Sequence, residues 1–163
     1  MREKAVDVQT EMQEEKYLTF LSDGQLFGIP IGEVVQIVGI QKITQIPDLP
    51  NYVKGVIDLR GDIIPLIDLR LRTGKQEAEY TERTCVIVTR IADKLFGFIV
   101  DEVDEVTDIR YAQISDPPKL SGEKTNRYLT GIARMEDEKI ILLVDPASIL
   151  RADEIEELTK AVN

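Results

Sequence analysis

Histidine is absent from this 163-residue chain, which removes the commonest general base and metal ligand. Cysteine occurs once, so no internal disulfide forms, and the place of Cys85 inside the run Thr84 to Thr89 favours a buried core thiol over a reactive one. There is no Gly-rich phosphate loop of the Walker or dinucleotide type. No apolar run approaches the roughly 18 residues of a membrane span. Met1 to Lys16 is charged and lacks an apolar h-region, so it does not read as a signal peptide and a cytoplasmic location is expected. Basic residues are outnumbered, 20 Lys and Arg against 30 Asp and Glu, and a net charge of −10 with pI near 4.6 repels phosphate backbones and anionic lipid. Neither nucleic-acid binding nor direct membrane insertion is expected. Catalysis has little to build on. The acidic run Asp101, Glu102, Asp104, Glu105 and Asp108 lacks the loop glycine and spacing of a calcium-binding EF-hand and reads as a solvated face.

What the chain does have is an apolar hairpin with an arginine at its tip. Gly55 to Arg70 reads GVIDLRGDIIPLIDLR, and Arg60-Gly61-Asp62 breaks two runs rich in Val, Ile and Leu, a hairpin signal. The tip presents a planar, permanently charged fork of N–H donors on a stiff support. Pro65, in the second arm, suggests an edge position or a bulge because proline cannot donate to a ladder.

The chain also repeats itself. Leu26-Phe27-Gly28 returns as Leu95-Phe96-Gly97, 69 residues on, and Gly55-Val56-Ile57 through Asp68 has a counterpart in Gly131-Ile132-Ala133 through Asp145. Halves of about 65 to 75 residues are marginal alone, so a shared apolar seam is expected. Short strands dominate both halves, with a helical turn and then a strand over Gly32 to Val38. Asp145-Pro146 reads as an N-cap with proline at the first helical position, and Ile155, Leu158 and Val162 keep helical spacing behind it. The fold expected is all-β with a C-terminal helix: two five-stranded SH3-like β-barrels packed through the seam. The divisions are a flexible segment over 1–15, barrels over 16–83 and 84–150, and a helix over 151–163, with strand exchange between the halves left open.

Val53-Lys54-Gly55-Val56-Ile57-Asp58-Leu59-Arg60-Gly61 and Ile64-Pro65 with Ile67-Asp68-Leu69-Arg70 join Leu26-Phe27-Gly28-Ile29, Gly97 with Val100-Asp101, and Tyr128-Leu129-Thr130-Gly131 in one pattern. Over Lys16 to Leu150 it resembles the CheW family of bacterial chemotaxis coupling proteins. The resemblance implies a non-enzymatic scaffold without cofactor or metal. It would contact both the cytoplasmic tip of methyl-accepting chemoreceptors and the regulatory domain of the histidine kinase CheA, at receptor arrays on the inner face of the membrane. Arg60 resembles the family's signature arginine. Asp58 departs from the usual asparagine and adds a carboxylate two residues from Arg60, where a partial ion pair is expected.

On this reading Arg60, Gln36, Val103 and Val106 face the receptor, and Val34 and Gly55 face the kinase. Ser115 and Leu120 match the family's loop toward a second kinase contact. Val34, Ile37, Val103 and Val106 read equally as core packing or as the lining of a groove for an apolar receptor helix. Asp68 and Asp145 end matching strands and read as caps of the next helical turn rather than as an acid/base pair. A small-ligand sensor or a generic interaction module is the alternative.

Overall fold

The computed structural model describes residues 13–118 and 128–162. Short segments rich in β-branched residues, punctuated by Gly, Pro and Asp, give strands rather than helices. They are β1 (Glu14–Ser22), β2 (Gln25–Pro30), β3 (Val34–Gly39), β4 (Val53–Leu59), β5 (Asp62–Asp68), β6 (Cys85–Ile91), β7 (Lys94–Val100), β8 (Glu102–Arg110), β9 (Ile114–Ser115), β10 (Leu129–Arg134) and β11 (Ile140–Val144). A 3₁₀ turn at Ile31–Glu33 precedes β3, the order read from the sequence. Helices are α1 (Leu69–Arg72), α2 (Pro146–Ile149) and α3 (Ala152–Val162). Asp68 and Asp145 cap α1 and α2, accepting from the Leu71 and Ala147 amides at 3.3 and 3.1 Å. Glu14 and Glu15 lie in β1 rather than in the terminal segment expected over 1–15, of which residues 1–12 lie outside the described residues.

The strands form two sheets, ordered β8-β1-β2-β11-β10-β9 and β3-β6-β7-β5-β4. Neither sheet comes from one half of the sequence. β1 and β2 join strands of the second half, while β6 and β7 join strands of the first, so the boundary expected between 83 and 84 separates no pair of sheets. The cause lies in two near-continuous strands. β2 runs into β3 through three residues and β7 into β8 through Asp101 alone, so each bends out of one sheet into the other.

The repeated motifs occupy equivalent places in the exchange. Phe27 and Gly28 of β2 run parallel to β11, opposite Leu142 and Leu143; Gly97 of β7 runs parallel to β5, opposite Leu66. Both glycines are buried where a neighbouring leucine fills the space a side chain would take. A Cβ on Gly97 would lie 2.6 Å from Val86 and 2.7 Å from Leu66, and one on Gly28 3.1 Å from Ile141 and Leu143.

Both sheets curl without closing. Ile109 on the β8 edge and Ile114 on the β9 edge pack in one cluster with Tyr17, Ala133, Ile141 and Leu143, yet no ladder joins β8 to β9 among the described residues. The described ladders form open, curled sheets of six and five strands and do not close into the five-stranded barrels expected. The seam between the sheets takes Leu18, Phe20 and Ile29 from one and Ile67, Ile87, Phe96 and Phe98 from the other, with Ile149, Leu150 and Leu158 from the C-terminal segment. Cys85 is half-buried at the margin of this seam, at the first residue of β6, rather than within the core.

Two ionic knots lock the arrangement. The Arg70 guanidinium grips Asp101 through Nε at 2.9 Å and Nη2 at 2.7 Å and reaches Asp23 at 3.0 Å, tying the end of β5 to the β7–β8 junction and the β1–β2 turn. Burial raises the Asp101 carboxyl, but Arg70 and the Asp23 amide outweigh it and hold the group below the usual carboxylate range. Asp104 accepts from the Thr19 hydroxyl and Asp108 from Lys16, so the acidic run is not simply solvated. The second knot centres on Glu154, buried at the start of α3. Glu154 accepts from the Arg151 amide at 2.7 Å and from the Arg72 guanidinium at 2.8 Å, and also from the Tyr52 hydroxyl. Its bond to Arg151 is the reciprocal half of a capping box, and it starts a new helix after Leu150, which is extended and buried. Burial and the bond to Glu154 push the Tyr52 hydroxyl up to about 12.

Three outcomes are expected. Gly97→Ala should cost about 1–3 kcal/mol through overpacking, and Gly28→Ala, with its looser contacts, less; urea midpoints of the two variants check the order. Burial raises the Glu154 carboxyl too, but the Arg151 amide, the Tyr52 hydroxyl and the two arginines outweigh it, leaving it lowered. A lowered folded-state value contributes stability that is complete above the unfolded value and disappears as pH falls through the folded one. Glu154→Gln should therefore lose on the order of 3 kcal/mol at neutral pH, and the gap to wild type should narrow as pH falls below 4.5, measured by denaturant unfolding across pH.

Candidate functional site

Arg60 occupies a two-residue turn in which Leu59 pairs with Asp62. Its φ of +55° and the +93° of Gly61 give the type I′ form that matches hairpin twist. A non-glycine residue in this region carries strain of roughly 1 kcal/mol or more, so neighbouring contacts hold it there. Asp58 supplies one, accepting the Gly61 amide through Oδ1 at 2.8 Å. The expected ion pair between Asp58 and Arg60 is thus replaced by a backbone cap, because the tight turn brings an amide to the carboxylate first. Arg60 is exposed and, like Arg90 and Arg134, makes no ion pair among the described residues, whereas Arg70, Arg72, Arg83, Arg110 and Arg151 do.

The base of this hairpin is fixed. Asp68 accepts from the Tyr80 hydroxyl at 2.8 Å, which together with burial raises the tyrosine's pKa, and the Asp68 amide donates to the Tyr52 carbonyl at 2.7 Å. Gly55 is buried with φ +141°, and a Cβ there would lie 2.2 Å from the Thr44 carbonyl oxygen. Thr44 and Val56 exchange both backbone hydrogen bonds at 2.9 Å, so Gly55 lets the 43–44 segment lie against β4.

The remaining sequence-picked residues fall on sheet edges. β3 is one edge of the five-stranded sheet and β8 one edge of the six-stranded sheet. On them Val34 and Val103 are half-buried against the seam, Gln36 is half-buried opposite Val88, and Val106 is 51% exposed opposite Leu18. Core packing therefore describes Val34 and Val103, and outward presentation describes Val106 and Ile37. Arg60 is not among them: its hairpin forms the opposite edge of the five-stranded sheet from β3. Ser115 is exposed on β9 opposite Ile132, and Leu120 lies outside the described residues.

Sequence reasoning passed over Ile31 and Val35, which extend the exposed apolar edge beside Ile37, and Ile63, exposed next to the Arg60 turn. Val34 to Val38 holds one polar residue in five, a pattern too uniform to tell the outward positions from the inward ones. Ile63 could have been found by counting alternate residues from the turn, since it points away from the buried Ile64. An open cleft of about 570 Å³ lies beside this turn, bounded by Gly61 and Ile63, by Arg90 and Lys94 of the β6–β7 turn, and by Thr159 and Val162 of α3.

Comparison with known proteins accounts for these features together. Residues 16–154 match the model of the CheW-like domain. The chain is 34% identical over 141 residues to the chemotaxis protein CheW of Klebsiella aerogenes, covering 86% of this chain and 84% of that one. It is 32% identical over 136 residues to CheW of Bacillus subtilis, covering 83% and 86%. The crystal structure of the scaffolding protein TtCheW from Thermoanaerobacter tengcongensis superposes with a TM-score of 0.79 at 32% identity, covering 87% of this chain and 96% of that one. An internally repeated pair of curled sheets with a presented arginine, matched over nearly its whole length, thus belongs to the CheW family, the non-enzymatic coupling scaffolds of bacterial chemotaxis.

Proposed function

We propose that this chain links methyl-accepting chemoreceptors to the histidine kinase CheA, with Arg60, Gln36, Val103 and Val106 toward the receptor tip and Val34, Gly55, Ser115 and Leu120 toward the kinase regulatory domain. The observation that carries this reading is the Arg60 guanidinium, exposed on a capped, strained turn and committed to no internal carboxylate among the described residues. Such a group keeps its donors for a partner, and desolvated arginines are frequent interface hot spots. Ile37 on the β3 edge and Val106 on the β8 edge each offer apolar surface to a helical receptor tip, while Gln36 supplies a polar contact. Gly55 serves the kinase surface indirectly, by seating residues 43–44. In this reading each curled sheet acts as an SH3-like barrel, docks end to end with the similarly folded kinase domain, and so draws a cytoplasmic protein into receptor arrays.

Arg60→Glu should weaken receptor-fragment binding by at least about 30-fold, the equivalent of 2 kcal/mol. Kinase binding and the thermal midpoint should stay near wild type, because an exposed tip contributes little to folding. Paired pull-downs with receptor fragment and kinase regulatory domain read the difference. Equal loss of both would make Arg60 a folding residue, and no loss of either would make it a solubilising charge.

A further inference from the structure

We infer that the last turn of α3, through Thr159 and Val162, is a positioning element for the Arg60 hairpin. The inference rests on the reading of Arg60 as the receptor anchor. The need for such an element follows from Pro65. The two-residue turn closes on the Leu59–Asp62 pair, so bonded and non-bonded pairs alternate along the hairpin, and the Val56–Pro65 pair is non-bonded. The proline nitrogen therefore faces β7, where it has no hydrogen to donate. The parallel ladder between β5 and β7 accordingly begins only at Leu66 opposite Gly97 and covers Leu66 to Asp68. Pro65 sits in regular register on an interior strand, where the sequence suggests an edge position or a bulge, and it stands at the point where the β7 ladder stops. From Asp62 to Ile64 the second arm has a ladder partner on its β4 side and none on β7 among the described residues, and the sheet opens there into the 570 Å³ cleft.

Across that gap stands α3. Its first turn is anchored at the base of the hairpin, where Glu154 holds Tyr52, just before β4, and Arg72, just after β5. The Arg72 guanidinium also stacks over the Tyr52 ring at 4.7 Å and donates to the Ile149 carbonyl at 2.8 Å. One turn on, Leu158 is buried in the seam with Val53 and Ile67. The helix packs along β5, and its last turn brings Thr159 and Val162 to the cleft wall opposite Gly61, Asp62 and Ile63. The helix thus runs from the base of the hairpin toward its tip, and Thr159 and Val162 wall the cleft where the β7 ladder stops at Pro65. Without it the tip would pivot about Leu66, and the guanidinium would sweep a range of directions. Its affinity for a partner would then fall, because ordering it would be charged to binding.

The double variant Thr159→Ala/Val162→Ser, in the full chain, tests this directly, with Val162→Ile as the conservative control. Amide exchange at Leu59 and Asp62 should accelerate about tenfold while exchange in the β6–β7 hairpin stays unchanged. Receptor-fragment affinity should fall about tenfold with kinase-domain affinity retained, and Val162→Ile should match wild type in both. Unchanged exchange at Leu59 and Asp62, or acceleration spread equally over both hairpins, overturns the inference. If exchange accelerates and receptor affinity does not change, while Arg60→Glu still abolishes it, positioning by α3 is refuted and the anchor stands. If Arg60→Glu itself leaves receptor affinity intact, the anchor reading fails and the inference fails with it.

Discussion

The pairing of strands from one half of the chain with strands from the other, β2 with β11 and β7 with β5 in parallel and β1 with β8 and β3 with β6 antiparallel, holds the molecule in one piece. Each parallel pairing joins a Leu-Phe-Gly strand from one half of the chain to the second arm of a hairpin from the other. Remove the pairing between halves, and each half keeps only local antiparallel hairpins, too few to bury a core of its own. Keep it, and the near-continuous strands β2–β3 and β7–β8 have to cross between the sheets, which forces the seam of Leu18, Phe20, Ile67 and Phe98 into existence. Gly28 and Gly97 follow from the same constraint, since a leucine of the neighbouring strand occupies the space beside each. Arg70, Asp101 and Asp23 then tie the β7–β8 crossing to the end of β5 and to the β1–β2 turn from outside.

Much of this was legible in the sequence, and the reason differs from one element to the next. The Arg60 hairpin could be read because its signals are local: two apolar runs, a glycine, and the aspartate caps that end matching strands. The repeat could be read because composition preserves it. Which strand each repeat would pair with could not, because β5 and β11 are both Ile- and Leu-rich and offer the same surface to either Leu-Phe-Gly strand. Local rules also misjudged carboxylates. Asp58 lies near an arginine in sequence, but the turn hands it a backbone amide instead. Glu154 looks like any acidic helix residue, and only the approach of Tyr52, 102 residues away, makes it a buried hub.

The candidate site was legible in its parts and not in its layout. Arg60 and Val106 are exposed, while Val34 and Val103 turn inward and Gly55 has a folding duty of its own. Ile31 and Val35, which extend the apolar stripe beside Ile37 at the β3 edge, escaped notice because burial there depends on curl, which strand periodicity does not encode. The exposed groups lie on different edges of one interlocked body, at the Arg60 turn, along β3 and β8, and at Ser115 on β9. A scaffold holds two partners at fixed relative orientation only if the body between them does not flex, and the exchanged strands supply that stiffness.

The proposed function requires both partners to occupy the scaffold at once, and titration of the preformed complex with kinase regulatory domain by a chemoreceptor fragment, read by analytical ultracentrifugation, tests this. A single faster-sedimenting ternary species, with the receptor affinity unchanged by bound kinase domain, is the expected result. Displacement of the kinase domain as receptor fragment is added would contradict it, since the two partners would then be competing for one surface.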